Sequence, residues 1–110
     1  MRALTLTLLL SFLIPAVSFA GIVKGTLWYR GHPMGKGIRI EVHHGSSVYS
    51  TLTDEQGRFR LIVGEVGSCR LIVKGKSQSP ELRIISRKST VQYEVELFIE
   101  DGRYGLREKK

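Results

Sequence analysis

The side chains of this 110-residue chain that could carry chemistry are few: His32, His43, His44, a single cysteine at Cys69, and serines and carboxylates scattered between them. A metal centre needs donors that converge. His43 and His44 are neighbours, and successive residues of an extended strand face opposite sides. No H-x-x-x-H or Cys/His spacing accompanies them, so the histidines are expected as exposed strand-end residues and no metal or cofactor is assigned. Asp54-Glu55-Gln56-Gly57 lacks the alternating carboxylates of a calcium loop and reads as a turn. Serine, histidine and aspartate all occur, but without a nucleophile elbow to set them in register. Lys24 and Asp101 make only an imperfect pair for a lysine–aspartate crosslink, and the chain contains no asparagine. One cysteine permits no internal disulfide, and Cys69 falls within an apolar alternation, which predicts a buried thiol. Trp28-Tyr29 could offer an aromatic platform, but alternation sends one ring inward, leaving core plus edge cover. The residues therefore point away from an enzyme.

Charge points to the class of partner. Seventeen lysines and arginines against ten carboxylates give a net charge of +7. The cations lie throughout the chain, which predicts a solvated exterior more than a binding stripe. The residues expected to meet a partner are Arg30 and His32 in a loop, the pair His43 and His44, and the basic end Arg103, Arg107, Lys109 and Lys110. The expected partner is an envelope protein or an anionic polymer rather than nucleic acid.

That expectation about partners rests on export. Arg2 precedes an uncharged apolar stretch from Ala3 to Ile14, Pro15 breaks it, and Ser18-Phe19-Ala20 places small residues where a signal peptidase reads. The apolar stretch falls short of the roughly 20 residues a membrane span needs. Residues 1–20 are thus expected to be a cleavable signal peptide, with a mature chain from Gly21 that is periplasmic or secreted and has no transmembrane segment. Loss of Arg2 takes the net charge from +7 to +6.

The elements that must position these residues are strands. Ile38, Ile40 and Val42 alternate with Arg39, Glu41 and His43. Phe59, Leu61 and Val63 line one face opposite Arg58 and Arg60, and Cys69, Leu71 and Val73 oppose Arg70, Ile72 and Lys74. Further runs span Gly21 to Tyr29, Ser47 to Thr53, Glu81 to Ser86, where Leu82 and either Ile84 or Ile85 face inward, and Thr90 to Glu100, whose inward set is Val91, Tyr93, Val95, Leu97 and Ile99. Seven short strands with turns every eight to twelve residues predict an all-β, antiparallel seven-stranded sandwich over residues 21–100. Residues 101–110 are either a basic C-terminal tail or a short extra strand entered through Asp101-Gly102.

The most informative segment is Thr53-Asp54-Glu55-Gln56-Gly57-Arg58-Phe59. Asp54 can close an Asx-type turn onto an amide two residues on, and Gly57 supplies a positive φ. Phe59 has the parity of the core, and the Thr53 hydroxyl is expected to bond locally. Here the chain resembles carboxypeptidase-regulatory-like domains, which share a transthyretin-like sandwich. Gly21-Ile22-Val23, Gly31-His32-Pro33, Thr53 to Phe59 and Gly67 to Val73 look like that family's opening strand, loop, T-D-x-x-G-x-F turn and following strand. Cys69 departs from it, standing where the family usually has a tyrosine. The resemblance implies a non-catalytic module that binds a protein or polymer through loops or a strand edge, and it supplies no catalytic residues. A structural subunit of an envelope assembly is the alternative. A small transthyretin-like hydrolase is the third reading, for which Tyr104-Gly105-Leu106-Arg107 lacks the Y-R-G-S signature.

Overall fold

In the computed structural model, which describes residues 21–109, the first alternating run is a nine-residue strand, β1 (Gly21–Tyr29), that buries Val23 and Leu27 completely. The two-residue β2 (His32–Pro33) folds back on its end. β3 (Arg39–His44) and β4 (Ser47–Leu52) form a hairpin through Gly45 and Ser46. β5 (Arg58–Val63), β6 (Gly67–Val73), β7 (Glu81–Ser86), β8 (Val91–Glu100) and β9 (Arg103–Glu108) follow. Every described element is a strand or a turn, and no helix of the described residues is long and apolar enough to cross a membrane.

The strands form two sheets. One runs β2-β1-β8-β9, with β5 also paired to β1; the other runs β4-β3-β6-β7. Ile40, Val42, Leu71 and Ile84 from the four-stranded sheet meet Leu27, Leu61, Val63 and Val95 from the five-stranded sheet in one core. Truncating one of these leucines or isoleucines to alanine would cost about 2–5 kcal/mol, because the site can close only partly around the lost methyls.

Four expectations need correction. The strands number nine rather than seven, because His32–Pro33 pairs with β1 and Arg103–Glu108 is a strand that returns along β8. Leu106 on β9 is buried against the core, which is why that segment is held. The sandwich is also not wholly antiparallel. β1 and β8 pair in parallel from Val23–Val91 to Tyr29–Leu97. The crossover that a parallel pair requires is supplied by the whole second sheet together with β5. Of the inward sets, Ile99 is exposed because β8 outruns the sandwich there, and Ile72 is buried on the outer face between Glu41 and Glu81; of the pair left open, Ile84 enters the core. The Thr53 hydroxyl does not bond locally. It donates to the Gly35 carbonyl at 2.8 Å and accepts from the Ile38 amide at 3.0 Å, tying the turn to the loop before β3.

That turn is closed by Asp54, whose Oδ1 accepts from the amides of Gln56 and Arg58, each at 2.9 Å. Gly57 has φ +75°, and a Cβ there would run into the Met34 carbonyl, so both its conformation and its packing require glycine. The expected signal peptide, residues 1–20, and Lys110 lie outside the described residues.

Candidate functional site

The five-stranded sheet turns one face to the core and the other outward. Because successive side chains alternate, the register fixes the outward set: Ile22, Lys24, Thr26 and Trp28 on β1, Arg58, Arg60 and Ile62 on β5, Gln92, Glu94, Glu96, Phe98 and Glu100 on β8, and Arg103, Gly105 and Arg107 on β9. Lys109 continues beyond β9, its amide bonded to the Glu94 carbonyl. This face has two halves with different electrostatics.

In the half over β8 and β9 the charged groups Glu94, Glu96, Arg107 and Lys109 are each engaged, and Arg103 is not, among the described residues. Trp28 Nε1 donates to Glu94 Oε1 at 2.9 Å, and Gln92 Nε2 donates to the other oxygen at 3.1 Å. The Lys109 ammonium sits 4.7 Å from the centre of the Trp28 ring. Arg107 donates to Glu96 at 2.9 Å and lies 4.6 Å over the Phe98 ring. Phe98 in turn covers Gly105, where a Cβ would strike the ring. Cation–π contacts of this kind are worth about 0.5–1 kcal/mol at exposed sites.

The half over β1 and β5 is not satisfied. Lys24 and Arg60 are directly opposed across the antiparallel pair, both exposed, and among the described residues neither holds a carboxylate. Like charges placed opposite each other in a sheet are destabilising. Lys24 is flanked on its other side by the amide Gln92. Arg58, one step along β5's outer face, is neutralised by Asp54 at 3.1 Å. These residues line a cleft of about 450 Å³ that opens over the β5 edge towards Thr51 and Leu52 of β4.

The residues expected to meet a partner are dispersed. Arg30 adopts a positive φ of 52° in the β1–β2 turn and lies 5.3 Å over Tyr29, while His32 is exposed on β2. His43 and His44 are not free strand-end groups. They are half-buried because each faces a carboxylate: His43 Nε2 lies 2.8 Å from Glu41, and His44 Nδ1 lies 2.8 Å from Glu65. The His43 hydrogen bond holds the Glu41 carboxyl below its ordinary range. Both histidines belong to the four-stranded sheet, whereas Arg103, Arg107 and Lys109 belong to the other, so the set does not form one surface. Tyr104 and Arg107 lie on opposite faces of β9 by parity and apart from the histidine pair. Lys24 stands beside Gln92, and Asp101 is nine residues further along β8, roughly 30 Å at strand rise, which is too far for a crosslink. Cys69 is buried, and burial pushes its thiol pKa up. No group of three or more histidine, cysteine or carboxylate side chains among the described residues could hold a metal.

The sequence reading missed Lys24 and Arg60 as a pair, along with the carboxylate partners of the histidines. Parity alone would have matched Glu41 with His43. The register that opposes Lys24 to Arg60 joins distant segments and leaves no local trace.

No protein-family model matches this chain, and no curated protein does either. Its fold is similar to that of 5-hydroxyisourate hydrolase from Klebsiella pneumoniae, with a TM-score of 0.57 at 10% identity, covering 82% of this chain and 99% of that one. It is also similar to a candidate carbohydrate-binding protein from Bacteroides uniformis, with a TM-score of 0.52 at 10% identity, covering 82% of this chain. The match spans 54% of that longer protein. At this identity the likeness concerns the fold, which is a transthyretin-like β-sandwich.

Proposed function

We propose that this chain is an exported, non-catalytic binding module of the carboxypeptidase-regulatory-like kind, which takes up an acidic saccharide polymer on the outer face of its five-stranded sheet. One observation carries the reading: Lys24 and Arg60 oppose each other without a counter-charge at the wall of an open cleft. A carboxylate or sulfate placed between them would remove the repulsion and gain two charge-assisted hydrogen bonds. Gln92 and Thr26 beside them can serve sugar hydroxyls. The candidate carbohydrate-binding protein of similar fold supports a saccharide as the polymer, and the pattern at residues 1–20 supports export. This reading puts the site on a sheet face, where composition suggests the loops and the basic end.

Retention on immobilised polygalacturonate, with neutral dextran as the control, tests this. The chain should bind the uronate polymer, and added salt should weaken binding steeply, since exposed charges are screened within about 10 Å at 0.1 M. Reversing both cations (Lys24→Glu with Arg60→Glu) should cost at least about tenfold in affinity, or about 1.4 kcal/mol. Equal retention on dextran, or no loss in the double variant, would refute it.

A further inference from the structure

At the end of the sandwich where β1, β6 and β8 finish, a second cavity of about 280 Å³ opens between the sheets. Its floor is apolar: Met34 and Ile38 pack on the core, and Val73 and Leu97 are buried members of it. Its polar lining is unusual in sign. Tyr29 and Tyr104 contribute phenol hydroxyls that have no partner among the described residues. Lys74 and Lys76 contribute ammonium groups, and no aspartate or glutamate lines the cavity. These four side chains and the Ser77 hydroxyl can all donate, the hydroxyl oxygens can also accept, and none carries negative charge.

The remaining amide is already committed. Gln78 Nε2 donates to the Gly102 carbonyl at 3.0 Å, and its Oε1 accepts from the Tyr104 amide at 2.7 Å. One side chain thereby fastens the β6–β7 loop to the β8–β9 turn and gives the cavity its wall. Gln78 is scaffold rather than ligand contact.

We infer that this cavity binds a small amphiphilic anion, with a flat apolar body against Met34, Ile38 and Leu97 and one carboxylate or sulfonate group at the lysines. An apolar floor with a few convergent polar groups is what a small-molecule site requires. The volume lies just below the roughly 300–1,000 Å³ typical of such sites, so the body is limited to one or two rings. A rim with two ammonium groups and no carboxylate discriminates against cations and offers a neutral body no ion pair. The inference is independent of the polymer face. Tyr29 is five residues along β1 from Lys24, roughly 16 Å at strand rise.

The test uses two probes on the purified chain. One is 8-anilinonaphthalene-1-sulfonate, and the other is its uncharged counterpart N-phenyl-1-naphthylamine. The sulfonate should bind saturably at one per chain and shift the backbone amide resonances of Tyr29, Gln78 and Tyr104. Lys76→Glu alters an exposed side chain and should weaken the sulfonate about tenfold, while changing the uncharged probe less than about twofold. Tyr104→Ala should weaken both probes, with the thermal melt showing that the fold is kept. Non-saturating binding, shifts confined to Lys24, Arg60 and Gln92, or equal loss of both probes in Lys76→Glu would overturn the assignment.

Discussion

The Glu65 carboxylate holds the Tyr49 hydroxyl at 2.9 Å on one oxygen and lies 2.8 Å from His44 Nδ1 on the other. This joins the β3–β4 hairpin to the loop before β6. The Ser47 and Tyr49 hydroxyls hold the Glu65 carboxyl below its ordinary range, and the same hydrogen bond from Tyr49 to Glu65 raises the Tyr49 phenol.

Two pH limbs follow from the hydrogen bonds at Glu65. A carboxyl depressed on folding contributes stability fully above its unfolded pKa, about 4.3, and loses it as pH falls through the lower folded value. A phenol raised on folding contributes below its unfolded pKa, about 10, and loses it as pH rises through the higher folded value. Urea midpoints measured across pH should therefore fall at both ends. Glu65→Gln should flatten the acid limb, and Tyr49→Phe the alkaline one. Unchanged limbs in both variants would contradict the contact.

Gly57 and Gly45 both have positive φ, at 75° and 59°, but only Gly57 has backbone where a Cβ would go. Gly45→Ala should cost about 1–2 kcal/mol, the steric penalty of the left-handed region. Gly57→Ala should cost more than about 2 kcal/mol, because the loop carrying Met34 must also move. Equal losses in chemical denaturation would show that the turn does not seat against that loop.

Ser86 is fully buried at the inner end of β7, and its hydroxyl finds no partner among the described residues. Burying a hydroxyl without a hydrogen bond costs about 1–3 kcal/mol by mutational measures. Ser86→Ala removes that burden along with one atom of packing, and should raise stability by up to about 1 kcal/mol. A clear loss of stability would mean that the hydroxyl is satisfied.

Much of the fold was legible because burial in a sandwich has a period of two. Arg39 to His43, Arg58 to Val63 and Glu81 to Ser86 each read as a strand with the correct inner face, apart from the choice between Ile84 and Ile85. The alternation carries no direction, so nothing in it announced that β8 lies parallel to β1. A run of two residues such as His32–Pro33 is too short to show a period. Arg103 to Glu108 has only Leu106 in the core, which left strand and tail equally open. The candidate site was less legible still. Local sequence shows cations gathered at the chain's end, but Lys24 and Arg60 become neighbours only when β5 is laid against β1.

The most direct test of that pairing is Lys24→Glu, measured for both stability and polymer affinity. Opposite charges across a strand pair stabilise where like charges repel, by about 0.2–1 kcal/mol. The account predicts that this single substitution raises the urea midpoint and weakens binding to polygalacturonate. A lower midpoint, or undiminished binding, would show that Lys24 and Arg60 are not an anion site.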